Sequence, residues 1–151
     1  MAFHYLARGV IHTNGHVLLV RAIGDEITFL PGGHIEFAEP AKDALERELM
    51  EEASIVGKAE RFIGAAENEW FEGDERQAEI NLLFEVDTQL SNTEAVVSNE
   101  AHLEFFWVPC EDIEKWNLYP VALRSLVKQF SAVELALQPE PAFWGSGIAT
   151  K

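Results

Sequence analysis

The chain has 151 residues, of which 48% are apolar and 25% charged, so it fits one globular domain and is too apolar to be disordered. Its formal net charge of −15 argues against binding a nucleic acid polymer, because contacts to a phosphate backbone need clustered Lys and Arg. No apolar run reaches the roughly 18 residues of a membrane span, and no cleavable secretion signal follows Met1. One cysteine, Cys110, excludes an internal disulfide and favours a reducing compartment, which we expect to be the cytoplasm.

The first third of the chain alternates between strand and turn signals. The predicted strands or extended segments span residues 3–11, 16–21, 27–30 and 34–37. The first two should form a hairpin, because Asn14-Gly15 suits the positive φ angles of a type I′ turn. The second is apolar almost without interruption, which indicates burial on both faces. Pro31-Gly32-Gly33 is a turn or a place where the backbone comes close to a ligand.

A helix over residues 41–53 is the clearest element of the sequence. Pro40 stands where a proline suits the first helical turn, and Ala41, Leu45 and Leu49 make an apolar stripe. Further strands are predicted over 61–70, 77–86 and 103–108, a short helix over 111–116 and a longer helix over 120–130. The order of elements predicts an α/β fold, an α+β sandwich with a mixed β-sheet flanked by helices.

We expect a single domain over residues 1–133, followed by a C-terminal arm over 134–151. The arm carries large apolar residues such as Phe143 and Trp144 between prolines and glycines. Each large aromatic side chain left in water costs roughly 2 kcal/mol, so the arm should dock. A partner subunit in a homodimer is the favoured place. The mouth of the chain's own cleft and the edge of its own sheet are the alternatives.

Three carboxylates share one face of the predicted helix. Glu48, Glu51 and Glu52 are spaced i, i+3 and i+4, and Glu52 borders the apolar stripe, where it should be partly desolvated. A hard divalent cation such as Mg²⁺ would relieve both the repulsion and the desolvation. The alternative is a solvated acidic face with Arg47 and Lys42 as partial partners.

The helix and the glycines before it together resemble the Nudix box, a 23-residue signature written G-x5-E-x7-R-E-U-x-E-E-x-G-U, with U a bulky apolar residue. Eight of its nine defined positions match between Gly33 and Ile55. The matching residues are Gly33, Glu39, Arg47, Glu48, Leu49, Glu51, Glu52 and Ile55. The one departure is Ser54, which replaces the second glycine of the box, where a left-handed backbone usually ends the helix.

The resemblance implies a Mg²⁺-dependent hydrolase, with Mn²⁺ as the other metal, that cuts the phosphoanhydride of a nucleoside diphosphate linked to another group. It implies that Glu48, Glu51 and Glu52 bind the metal together with the Gly32 carbonyl. Metals of this kind neutralise diphosphate oxygens and activate water. The alternative function is a Nudix-fold module that binds a nucleotide or metabolite without cutting it.

The resemblance also implies that Glu39 and Arg47 pair and orient the helix carboxylates. A general base in this family lies either in the box or in a later loop, and Glu100 and Glu104 are the later candidates. Substrate identity is set outside the box. There Trp70 and Phe71 are candidates for stacking on a nucleobase, or else core or interface residues. Arg8, Arg21 and Arg76 are candidate clamps for phosphate or carboxylate groups, or else surface residues.

Overall fold

The computed structural model describes residues 1–92, 94–132 and 144–150 of the chain. Its strands are β1 (Ala2–Val10), β2 (His12–Thr13), β3 (His16–Ala22), β4 (Gly32–His34), β5 (Gly57–Glu72), β6 (Glu75–Thr88) and β7 (Leu103–Pro109). Its helices are α1 (Ala41–Ala53) and α2 (Leu123–Ala132). Among the described residues, no helix has both the length and the apolar character that crossing a bilayer requires.

The strands form two sheets. One has the order β4-β1-β6-β5, in which β1 runs parallel to β6 and the other pairs are antiparallel. The second has the order β2-β3-β7 and is antiparallel. Helices α1 and α2 contribute to two separate hydrophobic clusters. The predicted α+β sandwich with a mixed sheet and flanking helices is confirmed.

Strand β3 connects the two clusters through its alternating side chains. Leu18 and Val20 pack in the cluster that contains α1, whereas Val17 and Leu19 pack in the cluster that contains α2. All four side chains are at most 5% exposed. Burying such a side chain stabilises the fold by about 1.5–3 kcal/mol, so a strand buried on both faces adds to both cores. The predicted burial on both faces is confirmed.

Several local predictions are confirmed. Asn14 and Gly15 have φ angles of 48° and 74°, which suit the predicted type I′ turn. Helix α1 has the predicted bounds, with Pro40 at its N-cap rather than inside the first turn. The two long strands meet at Gly73-Asp74 as predicted, although both extend beyond the predicted bounds.

Three other predicted elements differ from the structure. Residues 27–30 form only isolated bridges, from Thr28 to Leu118 and from Phe29 to Val20 of β3. The helix predicted over 111–116 is absent. A single 3-10 turn over Cys110–Asp112 is followed by irregular turns, and Asn117 has a φ of 53°, which is incompatible with a right-handed helix. Helix α2 accordingly begins at Leu123 rather than at residue 120.

Part of the predicted C-terminal arm lies outside the described residues, namely 134–143 and 151. Trp144 is described and packs against two aromatic rings of the core of its own chain. Its ring centroid lies 5.3 Å from that of Phe62 and 5.0 Å from that of Phe84. These are favourable distances for aromatic pairs, so Trp144 anchors this part of the arm beside α1.

Candidate active site

Two glycines let strand β4 approach both β1 and α1. Gly32 pairs with Arg8 at a φ of 140°, and a Cβ at this position would lie 2.1 Å from the carbonyl oxygen of Ala7. A Cβ at Gly33 would lie 2.5 Å from the carboxyl carbon of Glu48. The predicted glycine turn is therefore a short strand, and it leaves room for a carboxylate of α1 against the backbone.

The guanidinium of Arg47 is the centre of the hydrogen-bond network beside α1. Its Nε and Nη2 donate to the two carboxylate oxygens of Glu39 at 2.8 and 3.0 Å. Nη1 donates to Glu48 at 3.1 Å and to Glu51 at 3.2 Å, and Nη2 also donates to the carbonyl oxygen of His34 at 3.1 Å. Above all, the hydrogen bonds to Glu39 raise the pKa of Arg47 above its usual value. The structure thus brings the predicted pair Glu39 and Arg47 together.

The carboxylates of α1 suit a divalent cation. Burial, followed by the negative charge of Glu48, raises the pKa of Glu52 to about 7. Among the described residues no three His, Cys, Asp or Glu side chains already stand together as a complete metal site, and Glu48 and Glu51 instead face Arg47. The carboxylate oxygens of α1, one of them packed against Gly33, still have the chemistry that Mg²⁺ prefers. The residues therefore fit such an ion.

The two predicted general bases lie in different surroundings. The negative charge of Glu100 is among the causes that raise the pKa of Glu52, so Glu100 lies near the carboxylates of α1. Glu104 lies in β7 opposite Arg21, whose Nε donates to it at 2.5 Å. The guanidinium of Arg21 also lies over the ring of Phe106, at 4.9 Å from its centroid. The charges of Glu104 and Arg21 therefore neutralise each other in this ion pair.

Two adjoining cavities lie next to these carboxylates. The smaller, of about 170 Å³, is lined by Glu52, Gly32 and Arg8 among others. The larger, of about 480 Å³, lies over the sheet face of β1 and is lined by Arg8 and Trp70 among others. Arg8 and Phe29 line both cavities. The carboxylate helix and the larger cavity are thus two ends of one cleft, with Arg8 between them.

Of the five candidate substrate residues, the structure brings Arg8, Arg21 and Trp70 to this cleft and leaves Phe71 and Arg76 outside it. Trp70 lines the larger cavity and stacks on the ring of His4 at 5.3 Å. Phe71 follows it in β5, is 63% exposed and does not line the cavity. Arg76 does not line it either, because the register puts it on the opposite face of β6 from Gln77 and Glu79, where its guanidinium pairs with Glu69 at 2.5 Å.

Other residues of the cavity were not singled out by the sequence. They include His4, His34, Asn68, Glu79 and Tyr119. In β1 and β6 the polar residues alternate with apolar ones, and such alternation is usually read as the solvated face of a strand. A polar face on two strands at the centre of a mixed sheet was the signal that would have pointed to a cavity.

The family model of the NUDIX domain matches residues 4–130 of the chain. The chain belongs to the Nudix family. Among curated proteins, none matches this Nudix chain.

Solved structures of Nudix proteins share its fold. A MutT protein from Methanosarcina mazei Go1 is 24% identical, with a TM-score of 0.67 over 87% of this chain and 94% of that one. The dihydroneopterin triphosphate pyrophosphohydrolase of E. coli is 19% identical, with a TM-score of 0.63 over 86% and 94%. A C. elegans Ap4A hydrolase is 23% identical, with a TM-score of 0.62 over 85% and 96%. Family and fold support a pyrophosphohydrolase, a class that generally uses a divalent metal and small-molecule phosphate substrates.

The one departure from the Nudix box has a structural partner. Ser54 ends α1 in the left-handed conformation at a φ of 53°, as the glycine of the box would. The side-chain nitrogen of Asn99 donates to Ser54 Oγ at 2.9 Å and to the carbonyl oxygen of Glu51 at 3.1 Å. Its backbone N–H donates to the carbonyl oxygen of Glu52 at 2.6 Å. Asn99 thereby ties the loop that carries Glu100 to the end of the Nudix helix.

This contact predicts that Asn99 and Ser54 are energetically coupled. Asn99→Ala should lower the free energy of unfolding by about 1 kcal/mol, because two hydrogen bonds at an exposed helix end are lost. Ser54→Gly relieves a positive-φ strain of about 1 kcal/mol, and it should stabilise the Asn99→Ala protein more than the wild type, where it also removes a hydrogen bond. Urea unfolding of the four proteins gives the coupling energy. Additivity within about 0.3 kcal/mol would show that the two side chains act independently.

Proposed function

We propose that this Nudix protein is a Mg²⁺-dependent hydrolase that cleaves the phosphoanhydride of a nucleoside diphosphate linked to another group, through attack of water on phosphorus. Mn²⁺ is the other metal that the site suits. The carboxylate-bearing helix that adjoins a cleft lined by Arg8 carries the proposal. The charge and single cysteine of the chain support action in the cytoplasm on a small molecule.

In this mechanism Glu48, Glu51 and Glu52 would hold the ion together with the carbonyl oxygen of Gly32. Such an ion would supply positive charge to the diphosphate oxygens and would lower the pKa of a water molecule. Because Arg47 donates to both Glu48 and Glu51, it positions their carboxylates along the helix. The partial burial of Glu52 keeps bulk water away from one side of the site and strengthens its electrostatic interactions.

Arg8 is the side chain best placed to bind a phosphate. Its Nη1 donates to the carbonyl oxygen of Leu30 at 3.2 Å and its guanidinium lies 5.8 Å from the ring centroid of Phe29, so two contacts orient it. Burial lowers the pKa of Arg8, and the charges of nearby carboxylates including Glu79 and Glu52 oppose that shift. A guanidinium stays charged in proteins and binds phosphate oxygens in a fixed geometry.

Glu100 is the residue we propose as general base. It lies near enough to Glu52 to affect that pKa, and its backbone N–H donates to Ser98 Oγ at 2.9 Å, which shapes the loop. Glu104 is the weaker choice, because taking up a proton would neutralise its carboxylate and weaken its ion pair with Arg21. A general base has to lie within hydrogen-bond reach of its water molecule, and the tether from Asn99 to α1 holds Glu100 close.

The group attached to the diphosphate would lie in the larger cavity. Its volume of about 480 Å³ and its lining by Trp70, Phe29 and Tyr119 suit a flat ring system. Similar structures include hydrolases of dihydroneopterin triphosphate and of Ap4A, and both names describe a ring system joined to a phosphate chain.

The first test of this function is a panel of nucleoside triphosphates, nucleotide sugars and dinucleoside polyphosphates with Mg²⁺ or Mn²⁺. Wild-type protein should release phosphate, pyrophosphate or a nucleoside monophosphate, and excess EDTA should stop the release. Glu51→Gln and Glu52→Gln should each lower kcat/KM by about 100-fold or more, because a metal ligand is lost. Glu26→Gln, the same change at an exposed turn, is the control and should leave turnover unchanged. Equal turnover of wild type and the helix variants would refute the metal-helix mechanism, and tight binding without product would assign a non-catalytic module.

The role of Arg8 has a matched control in Arg76, which is exposed, lines neither cavity and pairs with Glu69 on the other face of the hairpin. Arg8→Gln should lower kcat/KM by about 10- to 100-fold, because a charge-assisted contact to phosphate is lost. Arg76→Gln should change kcat/KM by less than about two-fold. Steady-state kinetics on the best substrate of the panel decides the matter, and similar losses for both variants would exclude a specific role for Arg8.

We propose finally that the protein is a homodimer and that the arm over 134–151 contributes to the subunit contact. A chain that ends at Ala132 should then be a monomer by light scattering, with unchanged turnover per site. It should also melt at a lower temperature, because the packing of Trp144 on Phe62 and Phe84 is lost. Full-length Trp144→Ala is the control that removes the core contact alone. A truncated protein that keeps the mass of the full chain would place the subunit contact elsewhere, and an altered KM would point to a lid.

A further inference from the structure

The larger cavity has two chemically different ends along β1. Strand register places Glu79 beside His4 on one side and beside Asn68 on the other. Arg8 lies four residues further along β1, about 13 Å between Cα atoms at roughly 3.3 Å per residue, and its guanidinium is near enough to Glu79 for the charge of that carboxylate to act on it. The Arg8 end adjoins the carboxylate helix. Glu79 lines the larger cavity only, so a substrate with its phosphates between Arg8 and the carboxylate helix would place the rest of the molecule beside Glu79.

The Glu79 end is rich in hydrogen-bond acceptors. Glu72 and Glu79 lie on the same face of the β5–β6 hairpin as Trp70, whereas Glu69 is opposite Ala78 and its side chain lies on the other face. An ionised carboxylate accepts hydrogen bonds but donates none. Glu69 is already bound by Arg76, and Glu72 lies exposed at the hairpin end. Glu79 lies on the central strand β6. Within the described part of the chain its carboxylate accepts one hydrogen bond, from Asn68 Nδ2 at 3.2 Å. A carboxylate has about four acceptor sites, so Glu79 keeps acceptor capacity for a ligand.

The aromatic surface next to Glu79 is held in place by its own hydrogen bonds. The ring of His4 stacks on Trp70 at 5.3 Å with an interplanar angle of 25°. His4 Nε2 lies 2.8 Å from Gln77 Oε1, and its Nδ1 lies 2.9 Å from His34 Nε2. Because both ring nitrogens of His4 have partners, the stacked pair is oriented before any ligand arrives. A flat ring that packs against the His4–Trp70 pair would therefore direct its edge toward the carboxylate of Glu79 in a fixed position.

We propose that Glu79 determines which ring system this Nudix protein accepts, and that it selects a ring with two adjacent N–H donors. This inference rests on the proposed hydrolase function. A carboxylate can accept both hydrogens at once, as it does from a guanidinium. Guanine offers such an edge in its N1–H and 2-amino group, and pterins share the same ring chemistry. Hypoxanthine lacks the amino group, and xanthine replaces it with a carbonyl oxygen that a carboxylate repels.

The test compares kcat/KM for guanosine, inosine and xanthosine triphosphates in wild type and in Glu79→Gln. Wild type should prefer guanosine over inosine triphosphate by about 10- to 100-fold, the range of a good bidentate contact to a base. In Glu79→Gln the amide presents one acceptor and one donor, which complements xanthine, so the preference should move from guanosine to xanthosine triphosphate. The substitution keeps the side-chain shape and an acceptor for Asn68. Glu69→Gln, between Asn68 and Trp70 in β5 but with its side chain bound to Arg76 on the opposite face, is the control and should keep the wild-type ranking.

The outcomes separate this inference from the proposed function. Hydrolysis with equal kcat/KM for the three nucleotides, or an unchanged ranking in Glu79→Gln, would overturn the role of Glu79 and leave the hydrolase intact. A protein that cleaves none of the panel would contradict the hydrolase. Dissociation constants for the same nucleotides would then still test Glu79, since a shift of binding from guanosine to xanthosine triphosphate supports it and no shift refutes it. Guanine and pterin both carry two adjacent N–H donors. The kcat/KM of a pterin triphosphate relative to guanosine triphosphate in the same assay shows which of the two rings the protein prefers.

Discussion

The arrangement of the candidate site depends on the bidentate ion pair between Arg47 and Glu39. Glu39 is 8% exposed, and an unpaired carboxylate at that depth costs several kcal/mol. The same guanidinium donates to the carbonyl oxygen of His34 and to two carboxylates of α1. One side chain thus joins the loop before α1, the end of β4 and the acidic face of the helix. Without Arg47, no single donor would hold the carboxylates of Glu39, Glu48 and Glu51 in a fixed arrangement.

Strand β1 positions the residues of the larger cavity. Its pairing with β4 sets Arg8 beside Gly32, and its pairing with β6 sets His4 beside Glu79. Alternate residues of a strand lie on one face, so His4 and Arg8 share the floor of the larger cavity. The spacing between the proposed ring site and the proposed phosphate site is therefore set by strands rather than by loops. A cleft built in this way can hold a ligand with little reorganisation.

The end of α1 shows how the fold accommodates a departure from the family pattern. Ser54 adopts the backbone conformation of the missing glycine, and the hydrogen bonds from Asn99 offset the strain of that conformation. Because Asn99 precedes Glu100, the compensation also fixes a loop beside Glu52. Stability of the helix end and placement of the proposed base are thus linked by one side chain.

The sequence by itself determined the helix over 41–53, the shared face of Glu48, Glu51 and Glu52, and the tight turns, because each of these depends on residues within a few positions of each other. The tertiary structure alone decided that Trp70 lines the cavity and that Arg76 does not. Strand register puts the two side chains on opposite faces of the β5–β6 hairpin, and on its own face Arg76 pairs with Glu69. It also decided that the polar faces of β1 and β6 enclose a cavity rather than face solvent. Such contacts join residues that are distant along the chain, and no local pattern specifies their partners.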